Sequence, residues 1–200
     1  TGSGLIDILA ELLSAGVIDR TGRINTEIKN PRIRTGAHFP EYVIAWARET
    51  DIAKDIVITE NDIKNLIMSK ASIHAACVTL MKEAGVTRLD ITTIYFSGAF
   101  GNYINKKNAT IIGLIPEIDL DRIKNIGNGA VTGANLALIN RGQRKRLDGI
   151  AGRIAYIELN AEPSFMDEYT SSAFLPHTDL SLFPKVQALI ESLREKKEAN

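Results

Sequence analysis

The sequence predicts an α/β fold in which helices cover a mainly parallel sheet. Two short apolar runs, Thr93–Phe96 and Arg122–Ile126, each lead into a glycine-rich stretch that is followed by a helical pattern. This strand–glycine–helix rhythm is typical of parallel sheets with helical crossovers. The chain has 200 residues, which is enough for one domain or for one lobe of a larger domain.

The composition is that of an ordinary globular protein, with 44% apolar and 24% charged residues. Lys and Arg together number 24, as do Asp and Glu, so the formal net charge is zero. This balance argues against a dedicated nucleic-acid surface. No apolar run approaches the roughly 20 residues that span a bilayer, so we expect no membrane segment and a cytoplasmic location.

Cysteine and histidine usage argues against a metal or cluster site within the chain. Cys77 is the single cysteine, so no intramolecular disulfide can form and this chain alone cannot hold an iron–sulfur cluster through cysteines. The three histidines, His38, His74 and His177, are far apart and lack the spacing typical of metal ligands. We therefore predict no metal site.

The first third of the chain is predicted to contain one helix and two strands. Leu5–Leu13 has helical periodicity, with Ser3 as the expected N-cap and Gly16 as the stop. Residues 23–41 predict irregular structure or a short ribbon. Strands are predicted at Tyr42–Ala47 and Asp55–Ile58.

The longest predicted helix begins after Thr59 and ends at Gly85. Thr59 can cap this helix together with Asp62, in a variant of the capping box. Lys70 lies mid-helix beside an apolar stripe, and we expect its ammonium to be solvated. Further along, we predict a strand at Ile154–Leu159 and an amphipathic helix at Lys185–Lys197, separated by a stretch rich in proline and phenylalanine.

Two glycine junctions are the candidate ligand site. One is Ser97-Gly98-Ala99-Phe100-Gly101-Asn102 and the other is Gly127-Asn128-Gly129. Small residues after a strand let the backbone approach a ligand closely, and two such junctions suggest the rim of a nucleotide or phosphate site, with Phe100 or Tyr103 packing on a base or sugar. Two other interpretations stay open, namely glycines that only permit close packing, and a hairpin-type turn at Asn128-Gly129.

Neither junction has a familiar nucleotide-binding spacing. The third glycine of the dinucleotide fingerprint is missing after Gly98 and Gly101, and no Gly-Lys-Ser/Thr sequence of a P-loop occurs. No Ser/His/Asp arrangement or paired-carboxylate motif can be identified. The residues alone therefore predict no catalytic group.

Segments along nearly the whole chain resemble the reductive activators of corrinoid proteins. These segments are Gly2–Leu13, Asp19–Arg23, Ile58–Ile63 with Lys70-Ala71, Tyr95–Ile104, Ile112–Pro116, Gly127–Ala130 and Phe174–His177. Such activators have an N-terminal plant-type [2Fe-2S] domain, linker and middle domains, and a C-terminal domain of the acetate and sugar kinase/Hsp70/actin superfamily. The resemblance implies an actin-like, ribonuclease H-like ATPase lobe with a mixed sheet covered by helices, and residues 160–200 as a C-terminal extension packing on it.

The resemblance also implies a function. Activators of this family use ATP, with Mg²⁺, to drive reduction of a Co(II) corrinoid on a partner methyl-carrier protein to Co(I). Ser97–Gly101 would correspond to the adenosine motif of the superfamily, with Asn102 beside it and Gly127–Gly129 on the same rim. Lys70 would face the nucleotide from the other side. The implied partner is a corrinoid methyl-carrier protein, and a homodimer is possible.

Two departures from the family pattern shape the expectation. The cluster-binding cysteines and the Asp-x-Gly-Thr phosphate turn are both absent, so we expect a C-terminal part of an activator. The [2Fe-2S] cluster and the Mg²⁺ ligands would then lie outside the chain. We expect little or no ATPase activity from the chain alone.

Three alternative functions fit the sequence less well. A sugar kinase needs a catalytic aspartate and a sugar pocket, which we do not find in the sequence. An acyl-CoA-dehydratase activator needs a cysteine that bridges a cluster, and Cys77 on a helix face does not suit this role. A docking or dimerisation module would use the phenylalanine-rich C-terminal region and have no affinity for nucleotides.

Overall fold

The computed structural model describes residues 2–198, without the side chains of Asn160, Arg194 and residues 196–198. Within this range the α-helices are α1 Gly2–Ser14, α2 Glu60–Glu83, α3 Gly98–Tyr103, α4 Lys106–Ile111, α5 Gly129–Ile139, α6 Arg141–Ala151, α7 Pro163–Ser172 and α8 Pro184–Glu198. The strands are β1 Ile33–Thr35, β2 Pro40–Ala45, β3 Ile56–Thr59, β4 Ile94–Phe96 and β5 Ile123–Asn125.

The strands form two separate sheets. β1, β2 and β3 pair antiparallel in chain order, with Tyr42 opposite both Ile33 and Ile58. β4 and β5 pair parallel, with Ile94 opposite Ile123 and Phe96 opposite Asn125. The predicted rhythm of strand, glycine and helix is confirmed for this parallel pair. The expectation of a mainly parallel sheet is wrong, because the other three strands belong to an antiparallel ribbon.

The helix α2 begins and ends as the sequence predicts. The Thr59 hydroxyl accepts a hydrogen bond from Asp62 N at 3.1 Å, and the Asp62 carboxylate accepts one from Thr59 N at 2.9 Å. These reciprocal bonds satisfy two of the donors that a helix start leaves unpaired. Gly85 follows the helix with φ +66°, a conformation that favours glycine.

Three local predictions are wrong. Ser3 does not cap α1, because the helix already includes Gly2. The helix expected from about Ile104 is instead two short helices, α3 and α4, and Asn105 caps the second through Asn108 N at 3.2 Å. The strand predicted at Ile154–Leu159 does not form, since no strand of the described chain pairs with it, and Ile154 and Tyr156 are 74% and 87% exposed.

One apolar core joins both ends of the chain. Leu9 of α1, Ile63 of α2 and Ile112 after α4 are almost fully buried with Leu175 and Phe183 from the C-terminal segment. Glu117 accepts hydrogen bonds from the backbone N–H groups of Lys185 and Val186, at 3.0 and 3.3 Å, and so caps the start of α8. The segment after α7 is therefore an integral part of the same core.

Gly113 is predicted to be the glycine at which an added methyl group costs most. It has φ +70°, and a Cβ built on it would lie 2.3 Å from the carbonyl oxygen of Pro176. Gly16 also has a positive φ, of +67°, but a Cβ there meets nothing within 4 Å. Gly16→Ala should therefore cost about 1 kcal/mol from backbone strain alone, whereas Gly113→Ala adds about 1–3 kcal/mol of overpacking.

Urea denaturation of both variants measures the difference. Equal losses of unfolding free energy for Gly113→Ala and Gly16→Ala would contradict the close approach of Gly113 to Pro176.

Candidate functional site

The two glycine junctions meet at the carboxyl edge of the parallel pair. Gly98 N donates to Gly127 O at 2.7 Å. The Ser97 hydroxyl donates to Gly127 O at 3.3 Å and accepts from Gly129 N at 3.1 Å. Residues about 30 positions apart in sequence thus form one continuous rim.

The second junction opens a helix. Asn128 is the N-cap of α5, and its side-chain oxygen accepts from Val131 N at 3.1 Å. The alternative of a hairpin-type turn at Asn128-Gly129 is therefore wrong. Because a helix carries partial positive charge at its N-terminus, the start of α5 at Gly129 favours negative charge beside the rim.

The glycines of the rim divide into two kinds. Gly98 and Gly127 have φ of +84° and +66°, and a Cβ on either would meet nothing within 4 Å. Gly101 and Gly129 pack tightly, since their Cβ positions lie 3.0 Å from Phe96 Cβ and 2.8 Å from the Ser97 hydroxyl oxygen. Packing explains the second pair, while the first pair leaves open space in front of the backbone.

Side chains of the first junction line the outside of this rim. Ala99 and Asn102 are exposed, as are the rings of Phe100 at 49% and Tyr103 at 74%. The Phe100 ring lies against Gly2 at the start of α1, because a Cβ on Gly2 would be 3.2 Å from it. Tyr103 is therefore the aromatic ring that is more available to a ligand.

Asn125 is a supporting residue that sequence reasoning missed. It ends β5, and its side-chain amide donates to the carbonyl oxygens of Gly101 and Asn102, both at 3.0 Å. These bonds hold the end of α3 against β5. A polar residue in the last position of a strand, just before a glycine junction, is the signal that could have identified it.

Lys70 does not have the environment that the sequence predicts. Its side chain is only 2% exposed, and Nζ donates to the carbonyl oxygens of Ser172, Phe174 and Pro176, all within 2.8 Å. The expectation of a solvated lysine is wrong. Burial lowers the pKa of Lys70 to about 7, whereas the three carbonyl groups favour the ammonium form. An ammonium group has three N–H donors, so none is left for a phosphate, and we exclude Lys70 from the site.

Beside Lys70, three side chains from distant parts of the chain form a buried polar cluster. His177 Nε2 lies 3.0 Å from Glu168 Oε1, and His74 Nε2 lies 3.9 Å from the same oxygen. The hydrogen bond from His177 lowers the pKa of Glu168 more than any other interaction does. No sequence pattern predicts this cluster, because its members come from α2, α7 and the loop that follows α7.

The cluster fits a hydrogen-bonded network better than a metal centre, although its ligand atoms lie within 4.8 Å of one another. His177 Nδ1 accepts a hydrogen bond from Asp179 N at 3.0 Å, so the neutral ring carries its proton on Nε2 and donates it to Glu168. A metal ion at that nitrogen would have to displace this proton. The nearby Lys70 ammonium would also repel a cation.

A comparison with family models identifies the fold family. The model described as the C-terminal domain of RACo, the ASKHA domain, matches residues 1–187. The chain belongs to this family. The match confirms the predicted actin-like class, and it agrees with a solved structure of a reductive activator for corrinoid, iron-sulfur protein. That structure is 44% identical with a TM-score of 0.83, over 90% of this chain and 29% of that chain.

Two curated relatives are similar to parts of the chain. The corrinoid activation enzyme RamQ of Eubacterium limosum is 34% identical over 175 residues, which is 84% of this chain and 30% of that protein. The Co(II) methylated amine-specific corrinoid protein reductase of Methanosarcina barkeri is 27% identical over 150 residues, or 75% of this chain and 23% of that protein. The chain thus spans less than a third of the length of these relatives. Within the described part of the chain, no helix combines the length and the hydropathy that a membrane span requires.

His74 should make the stability of the fold depend on pH. Burial, followed by the charge of Lys70, lowers the pKa of His74 from 6.5 to about 4. Between these values the unfolded chain binds a proton that the folded chain does not. The free energy of unfolding therefore keeps its full value above pH 6.5 and falls as the pH falls toward 4. The loss is about 2 kcal/mol between pH 7 and pH 5.

Chemical denaturation at several pH values tests this dependence. His74→Gln should reduce the loss of unfolding free energy between pH 7 and pH 5. His38→Gln, at an exposed position, should leave that loss unchanged. A loss of the same size in His74→Gln as in the unmodified chain would contradict the assignment to His74.

Proposed function

We propose that the chain is the ATP-binding segment of an ATP-dependent reductive activator, which reduces a Co(II) corrinoid on a partner methyl-carrier protein to Co(I). The observation that carries the proposal is the joined pair of glycine junctions, with open space in front of Gly98 and Gly127. The names of the relatives, a corrinoid activation enzyme and a corrinoid protein reductase, support the same role.

The rim is suited to the adenosine part of the nucleotide. Ser97 and Gly98 bring bare backbone to the edge of the sheet, and the exposed ring of Tyr103 offers a surface on which a base can stack. The start of α5 favours the negative charge of phosphates nearby. Bound ATP would supply the free energy of hydrolysis, and the residues described here would hold and orient its adenosine.

The remaining groups of the reaction would come from outside these segments. Neither Ser97–Asn102 nor Gly127–Gly129 contains a carboxylate, so these residues do not provide the oxygen ligands that Mg²⁺ prefers. Cys77 is the single cysteine and cannot hold a [2Fe-2S] cluster. We therefore propose that the electron reaches the corrinoid from a cluster held elsewhere.

The packing of the C-terminal region disfavours the alternative of a docking or dimerisation module built on it. Phe183 is fully buried in the core of the same chain, and Phe165 and Phe174 are half-buried. These rings are consequently not free to form a large apolar contact surface. The family match likewise favours a corrinoid activator over a sugar kinase or a dehydratase activator.

Calorimetric titration of the chain with ADP tests the nucleotide site. Gly98→Val should weaken ADP binding about tenfold or more, because the added side chain occupies the open space and costs at least about 1.4 kcal/mol of binding energy. Gly85→Val is the matched control, since Gly85 also has a positive φ, of +66°, and open space around its Cβ position.

The two variants should lose similar stability from the strained backbone, but only Gly98→Val should lose affinity. No ADP binding by the unmodified chain, or equal affinity of the two variants, would contradict the proposed site.

A further inference from the structure

A cavity separate from the glycine junctions lies beside the C-terminal half of α2. Its volume is about 490 Å³, within the range of small-molecule sites. Apolar side chains dominate its lining and include Val78, Met81, Leu89, Leu182 and Phe183. None of the residues of the two junctions lines it. We call this space the α2 cavity.

The inner wall of the α2 cavity includes a buried histidine. His74 is 2% exposed, and its Nδ1 has no hydrogen-bond partner in the described part of the chain. At neutral pH this imidazole is uncharged, because burial keeps its pKa at about 4. The wall therefore combines apolar surface with one neutral, unsatisfied polar group.

The residues that line the cavity include two cationic side chains and no anionic one. Lys82 and Arg88 line the cavity, and no aspartate or glutamate does. The described residues form no ion pair with either cation. Three carboxylates close to the lining residues are already engaged. Asp119 binds Lys185 Nζ at 2.6 Å, Glu117 caps α8, and Asp90 accepts a hydrogen bond from Thr87 N at 2.8 Å.

We propose that the α2 cavity binds a small organic anion with an apolar body, of the class of medium-chain carboxylates. The body would pack against Val78, Met81 and Leu182, and the carboxylate would lie between Lys82 and Arg88. Two unpaired cations in a mostly apolar lining favour an anionic ligand over a neutral one of the same size. The inference does not depend on the nucleotide site.

Methyl NMR of methionine residues offers a direct test. The chain has three methionines, of which Met81 lines the cavity while Met68 and Met166 do not. Titration with decanoate should shift the Met81 methyl resonance along a saturable curve and leave the other two in place. The neutral analogue 1-decanol should bind at least about threefold more weakly, in line with the small free energy of exposed ion pairs.

Variants separate the cavity from general surface binding. Lys82→Gln should weaken decanoate binding about two- to fivefold, which is the range expected for one exposed charge pair. Lys64→Gln is the matched control, because Lys64 is exposed on the same helix but does not line the cavity. Val78→Trp should fill the space and abolish the shift of the Met81 resonance.

Three results would overturn the proposal. These are an unchanged Met81 resonance, equal affinity for decanoate and 1-decanol, and equal effects of Lys82→Gln and Lys64→Gln. A melting temperature of Val78→Trp close to that of the unmodified chain shows that the loss of binding does not come from unfolding.

Discussion

The candidate site depends on the parallel pairing of β4 with β5. The register that places Phe96 opposite Asn125 also brings Ser97 and Gly98 to Gly127, so that the two glycine junctions share hydrogen bonds. A shift of one residue would turn the side chains of β5 to the opposite face and remove Asn125 from the end of α3. The pairing therefore fixes both the rim and the helix that carries its aromatic rings.

A second constraint holds the C-terminal segment in place. Lys70 binds three carbonyl groups between Ser172 and Pro176, and Glu168 binds His177 in the same region. Each buried charge is thus compensated by polar groups, as a low-dielectric interior requires. The segment that follows supplies Leu182 and Phe183 to the α2 cavity. Lys70 thus holds the segment that precedes Leu182 and Phe183, and its hydrogen bonds involve no residue of the glycine junctions.

Local sequence signals predicted much of this structure. Helical periodicity and the Thr59–Asp62 capping pair located α2, and glycine-rich stretches after apolar runs located both junctions. These features are encoded within a few residues of each other. The same logic failed for Ile154–Leu159, because an apolar alternation predicts a strand without saying whether a partner strand lies beside it.

Long-range contacts account for the other failures. The residue type of Lys70 predicts a position at the surface. In the structure, carbonyl groups of residues about 100 positions later surround its ammonium. His74 and His177 approach the same carboxylate only because α7 packs along α2. Asn125 acquires its role from α3, more than 20 residues earlier in the chain. Residue type alone does not encode such contacts.

Photo-crosslinking with 8-azido-ADP tests the central claim most directly, because the azide sits on the base. The proposed rim predicts labelled peptides that contain residues 97–103 or 127–131, with protection by unmodified ADP. Specific, ADP-protected labelling confined to other parts of the chain would contradict the assignment of these junctions to the adenosine site.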